Sequence, residues 1–228
     1  DVIVVGRFAG STSLAAVGST TELLSLLTTL FIGFSIGANV NVARTLGNQD
    51  DQGTKDGIHT AVSVSILSGS AMILLGFLFG RPMLQWMGTP ADVIDKASLY
   101  LMIIFIGMPS NMAYNFGSAI LRAMGDTKRP LYFLSVAGVL NVVLNLIFVI
   151  VLHMDVAGVA LATILSETLS AVLILNCLCR TDGPCHLNIR KLYIQKDQLI
   201  RMLRIGLPAG IQSGMFSFSN VLIQSSIN

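Results

Sequence analysis

Residues 131–152 run for 22 positions without one charged side chain, and this run most constrains what the chain can fold into. A helix needs about 20 apolar residues to cross a bilayer. Helices and closed barrels are the only spanning structures that satisfy every backbone polar group in hydrocarbon. A second run, 156–178, is interrupted by a single acid, Glu167. Over the whole 228 residues, 53% are hydrophobic and only 11% charged, against about 25% charged in soluble domains. Too few charges remain to cover a water-exposed surface. The expected fold class is all-α, a polytopic helical membrane protein lying in a lipid bilayer.

The spans read as the tail of a helix at 1–8, a small-residue turn at 9–18, and complete spans near 19–45, 58–81, 94–121, 131–152 and 156–178. A breaker loop at 179–197 contains Gly183-Pro184. A last helix begins near 198 and enters the membrane around Leu207. The chain starts at Asp1 directly before an apolar run and stops inside another at Asn228, so it reads as a piece of a longer protein. Asp1-Val2-Ile3-Val4 resembles Asn220-Val221-Leu222-Ile223, a hint of an internal repeat. Lys and Arg divide unevenly between the alternating loops. Eleven, from Arg44 to Arg204, fall on one side, and only Arg7, Arg81 and Lys96 on the other. Positive loops stay inside, so 46–57, 122–130 and 179–200 are expected to be cytoplasmic.

Net charge is +2, which gives no reason to expect nucleic acid as a partner. Cys177, Cys179, Cys185 and His186 have a spacing that fits no zinc pattern; free thiols in a reducing cytoplasm are expected. Asp50-Asp51 has no second acidic motif, there is no phosphate-binding loop, and Gln212-Ser213-Gly214 lacks a His partner. No enzyme and no cofactor are expected.

Polar groups in hydrocarbon must be paired or face a watery cavity, which makes each one a candidate site. Asp1 stands against an apolar run. Asn141 and Asn145, spaced i, i+4, share one helix face. They could coordinate a cation or hydrogen-bond a neighbouring helix. Thr163, Glu167 and Ser170 form a similar stripe, and an acid at mid-span costs about 3 kcal/mol. Glu167 therefore faces the bundle interior, with either a transport role or a local hydrogen bond. Asn111, Asn115 and Tyr100 could line a cavity or pack. For Asn39 and Asn41, helix packing is the simpler reading. Pro109 and Pro208 permit bends. These residues suggest a solute path and hence a secondary transporter.

Several stretches, in this order, resemble the multidrug and toxic compound extrusion (MATE) transporters. They are Asp1-Val-Ile-Val-Val-Gly-Arg7, Leu14-Ala-Ala-Val-Gly18, Gly37-Ala-Asn-Val-Asn-Val-Ala-Arg44, Leu121-Arg-Ala-Met-Gly-Asp-Thr-Lys-Arg-Pro130, Leu140-Asn-Val-Val-Leu-Asn-Leu-Ile-Phe148, Val156-Ala-Gly-Val-Ala-Leu-Ala-Thr163 and Ile205-Gly-Leu-Pro208. The resemblance implies a twelve-helix protein of two lobes. Residues 1–178 would belong to the N-terminal lobe, 179–200 to a cytoplasmic connection, and 201–228 to the start of helix 7. It implies a monomeric antiporter in the cell membrane that exports amphipathic, often cationic compounds in exchange for H⁺ or Na⁺. Asp1 matches the helix-1 carboxylate tied to coupling, Asn141 the helix-5 Asn, and Thr163 a polar helix-6 position. The coupling ion would sit at Asp1, Asn141 and Asn145. Asn145 stands where some members carry a second Asp, and Glu167 lies where an amide or small residue is expected. No acid occurs in 205–228, which points to the DinF-like branch. A lipid-linked oligosaccharide flippase is the alternative, and it would require a basic cavity.

Overall fold

The computed structural model describes residues 5–7 and 10–227; the side chains of residues 22, 216–218, 220–222 and 224–227 are not described. Among the described residues six long helices follow in order: α1 Ser11–Gly47, α2 Asp51–Trp86, α3 Ile94–Ala123, α4 Lys128–Leu146, α5 Asp155–Cys179 and α6 Lys196–Ile227. A single π turn, Ile147–Val151, extends α4, and two short 3₁₀ turns, Gly183–Cys185 and Ile189–Lys191, lie between α5 and α6. Among the described residues there is no strand. Helices α1, α2, α3, α4 with its π turn, and α5 are all long and apolar enough to cross a membrane. The expected fold class is therefore the one observed. Leu74, Leu78, Val139 and Met215 lie on the outside, more than half exposed, as lipid-facing side chains should. Asn41, Thr54, Thr60, Ser65 and Asn145 are buried inside. That inversion of the soluble pattern is what a bilayer solvent dictates.

The helices are longer than the spans read from hydropathy, and one expectation fails. Residues 11–18 are not a turn but the first two turns of α1, and the break is at Gly10, whose φ is +86°. Small and hydroxylated residues read as a turn because their side chains compete with the backbone for hydrogen bonds. The hydroxyls just beyond residue 18 bond back within the helix. Ser19 Oγ donates to the Ala16 carbonyl, Thr20 Oγ1 to those of Ala16 and Val17, and Thr21 Oγ1 to that of Val17.

The loops on the basic side are short where two helices meet. Only residues 48–50 separate α1 from α2, and only 124–127 separate α3 from α4. Asp50, half of the acidic pair, is the N-cap of α2, its Oδ1 accepting from the Gly53 amide at 2.8 Å. Asp50→Ala is expected to cost about 1 kcal/mol, measured as a lower unfolding midpoint of the purified protein in detergent. At the opposite end, Lys96 Nζ donates to Asp155 Oδ2 (2.7 Å) and Ser13 Oγ (2.9 Å), joining the starts of α1, α3 and α5.

Glycine sets how closely the helices approach. A Cβ on Gly69 would lie 2.4 Å from Pro109 Cα, so α2 meets α3 at the bend-permitting proline. The tightest crossing joins α1 to α6. A Cβ on Gly33 would lie 2.2 Å from Gly210 Cα, and one on Gly37 would lie 2.1 Å from the Met202 carbonyl oxygen. Such spacings are the small-xxx-small pattern by which membrane helices reach backbone contact. At the end of the crossing nearer the basic loops, buried Asn41 donates from Nδ2 to Gln198 Oε1 at 2.7 Å. Asn39 Nδ2 donates to the Ala119 carbonyl of α3 at 2.7 Å. Both residues thus serve packing, the simpler of their two readings.

Candidate functional site

The i, i+4 pair on α4 lies against α5. Asn145 Nδ2 donates to Asn141 Oδ1 at 2.9 Å, and Asn141 Nδ2 donates to Ser166 Oγ at 3.3 Å. The first bond orients the Asn141 amide: its NH₂ faces Ser166 on α5, and its oxygen, accepting from Asn145, keeps a second lone pair. Ser166 was not a candidate in the sequence, although it is three residues from Thr163 and four from Ser170, the spacing of the stripe that they mark. Its Oγ donates to the Thr163 carbonyl at 2.8 Å, Thr163 Oγ1 donates to the Val159 carbonyl, and Ser170 Oγ donates to the Glu167 carbonyl. All three hydroxyls on this stripe of α5 give their protons to the preceding turn. Toward anything else their oxygens act as acceptors.

Glu167 is joined to α3. Asn111 Nδ2 donates to its Oε1 at 2.8 Å, and Asn115 Nδ2 donates to Asn111 Oδ1 at 2.9 Å. The donors run in one direction, from Asn115 through Asn111 to the carboxylate. Beside this chain Ser110 and Thr168 share a hydroxyl bond of 3.1 Å across α3 and α5. Among the described residues the ion pairs are Arg81–Asp95, Lys96–Asp155 and Asp126–Arg129, so none of them involves Glu167.

Together these side chains line a groove of about 250 Å³ whose walls are Leu134, Ala137, Gly138 and Asn141 of α4 and Thr163, Ser166, Glu167 and Ser170 of α5. Its walls carry no Lys or Arg. The volume falls below the roughly 300–1,000 Å³ typical of pockets for drug-sized ligands. It suits an ion with its waters, or one polar end of a larger molecule. The oxygens of amide, hydroxyl and carboxylate are the donors that hard cations prefer. Asn115 reaches the groove only through Asn111. Tyr100 does not line it; it is buried in the apolar cluster with Leu101, Ile104 and Phe105. Asp1 lies outside the described residues.

The three cysteines are free thiols at the end of α5 and in the connection that follows it. Arg129 Nη1 donates to Cys177 Sγ at 3.5 Å, and burial pushes the Cys185 thiol up, with Asp51 adding to the effect.

A family model described as MatE matches residues 1–147. The chain belongs to the MatE family. This MatE chain is 29% identical over 234 residues to the probable multidrug resistance protein YoeA of Bacillus subtilis, covering all of this chain and 50% of that protein. It is 30% identical over 232 residues to the probable multidrug resistance protein YpnP of the same organism, covering all of this chain and 51% of that protein. Among solved structures it superposes on the inward-facing conformation of a multidrug resistance MATE family transporter of the MOP superfamily. That match has a TM-score of 0.90 and 25% identity over 97% of this chain and 51% of the other. The MatE chain therefore spans about half the length of the curated relatives it matches. The family and the half-length match are as the sequence motifs implied.

Proposed function

We propose that this chain is the N-terminal part of a multidrug efflux antiporter that exports amphipathic, often cationic compounds in exchange for H⁺ or Na⁺. The observation that carries the reading is the groove between α4 and α5. It is lined by acceptor oxygens and a mid-span carboxylate, with no basic side chain among its walls. A buried acid is costly in hydrocarbon unless a proton, a metal ion or an organic cation joins it. Asn141, Thr163 and Glu167 are the groove's side of that site, and the family resemblance adds Asp1 to it. Asn145 acts through Asn141, whose amide it orients. The lack of Lys or Arg in the groove argues against a lipid-linked pyrophosphate as cargo. The protein would work as a monomer in the plasma membrane, with the basic loops in the cytoplasm. A cation can drive the cycle only by binding one conformation more tightly than the other.

The test is ethidium efflux from vesicles containing the full-length protein, under separate Na⁺ and H⁺ gradients. One gradient should drive efflux, and Asp1→Asn should abolish it while expression stays normal. Undiminished efflux from that variant, or efflux with neither gradient, would refute the mechanism.

A further inference from the structure

The connection between α5 and α6 is tied to α2 through one buried imidazole. His59 is 1% exposed. Its Nδ1 lies 2.8 Å from the Lys55 carbonyl oxygen, and its Nε2 lies 3.2 Å from the Asn188 amide nitrogen. The two partners dictate the protonation state. A carbonyl can only accept, so Nδ1 carries a hydrogen; a backbone N–H can only donate, so Nε2 must offer its lone pair. Only the neutral Nδ1–H tautomer satisfies both bonds. An imidazolium would turn a second N–H against the Asn188 N–H and leave two buried donors facing one another.

The rest of the connection is laid over the same turn of α2. The Tyr193 ring stacks on His59 with centroids 5.1 Å apart and planes at 15°. Its hydroxyl donates to Asp56 Oδ1 and its carbonyl accepts from Ser63 Oγ. The Gln195 amide donates to Thr60 Oγ1 at 3.0 Å. Gln195 then caps α6, its Oε1 accepting from the amides of Asp197 and Gln198. The clasp on His59 thus leads directly into the first turn of α6, which Asn41 holds through Gln198.

We propose that His59 is a pH-sensitive latch: neutral, it docks the 183–195 connection on α2 and steadies the start of α6; protonated, it releases both. The ionisable groups on the elements packed there are Lys55 and Asp56 on α2, Cys185, His186, Arg190, Lys191 and Tyr193 in the connection, and Lys196 and Asp197 at the start of α6; His186 is turned to the Thr181 carbonyl, 3.2 Å from its Nδ1. Among the described residues, none of their side chains hydrogen-bonds the ring. The Tyr193 hydroxyl, pushed up to about 12 by burial and by its bond to Asp56, keeps its proton throughout the range in which a histidine titrates. It does not change partner when His59 does. The latch rests on the geometry of the connection and is independent of the groove and of the coupling ion.

Amide hydrogen exchange of the 183–195 segment, in the full-length protein in lipid nanodiscs, tests this. Rates at each pH are normalised to intrinsic exchange. Lowering the pH from about 8 to about 5.5 should deprotect the Asn188 and Gln195 amides on the order of tenfold, the equivalent of losing one hydrogen bond to a buried group. His59→Gln should flatten the response, and Asp56→Asn should keep it. Protection in the wild type that does not vary with pH would overturn the proposal, whether or not the variants fold. A response that survives His59→Gln, or that vanishes in Asp56→Asn alone, would overturn it equally.

Discussion

Gly33→Leu is expected to lower the unfolding midpoint of the full-length transporter in detergent by roughly 3–6 °C and to stop efflux. At this position α1 and α6 touch backbone to backbone: a Cβ would lie 2.2 Å from Gly210 Cα, 2.4 Å from Gly210 N and 2.9 Å from the Gly206 carbonyl oxygen. None of these atoms belongs to a flexible side chain that could swing away. Overpacking costs about 1–3 kcal/mol even where side chains can yield, so the upper end applies. Each kcal/mol moves the midpoint of a protein about twice this chain's length by roughly 1–2 °C. Gly37, one turn further along α1, repeats the situation, and Gly210 is the glycine that faces Gly33 on α6. A Cβ on Gly210 would lie 2.6 Å from the Leu30 carbonyl oxygen, so α6 cannot slide to a looser register along α1. Gly80→Ala is the control. Gly80 is buried in α2, yet a Cβ there meets nothing within 4 Å. Exchanging a helical Gly for Ala should raise stability by up to about 1 kcal/mol. An unchanged midpoint in Gly33→Leu would mean that α6 does not pack on α1 in the whole protein.

Glu167→Gln separates structure from function. The Gln oxygen can still accept from Asn111 Nδ2, so the Asn115–Asn111 chain stays in place. Removing a charge from mid-span relieves a cost of about 3 kcal/mol on insertion scales, so the variant should unfold no earlier than the wild type. A cation held by the carboxylate, however, loses a charge-assisted interaction of about 1.5–3 kcal/mol. That weakens its binding on the order of 10–100-fold. The expected result is a normally folded protein whose gradient-driven efflux needs far more coupling ion. Wild-type efflux and ion dependence in this variant would remove Glu167 from the site and return it to a structural hydrogen bond. Early unfolding would point the same way.

These residues also show how far the sequence can be read. The Asn141–Asn145 face was legible because an i, i+4 spacing in an otherwise apolar span has one geometric meaning. Glu167 was legible because a lone acid in hydrocarbon must face inward. What each of them bonds was not. Asn111 lies 56 positions before Glu167 and Ser166 lies 25 after Asn141, and no local period links such pairs. For Tyr100 lining and packing were both open, and its burial in the apolar cluster follows from the rotation of α3, which the pattern of one helix does not fix. The supposed turn at 9–18 failed for a local reason. Gly, Ser and Thr at 10–13 signal a turn by composition, yet the break is confined to Gly10 and the helix starts at Ser11.

The sequence by itself determined that this chain is a set of membrane helices, how many apolar runs it has, which ends carry positive charge, and which polar residues had to face inward. Each follows from the cost of leaving a charge or an unpaired polar group in hydrocarbon, a cost that acts residue by residue along the chain. The tertiary structure alone decided which helices meet. It set α1 against α6 at Gly33, Gly37 and Gly210, α3 against Glu167 through Asn111, and the 183–195 connection against His59. Lipid is as apolar as a leucine face, so hydrophobicity does not select partners within a membrane. Backbone fit at glycine and pairwise hydrogen bonds make that selection, and both exist only once the helices are side by side.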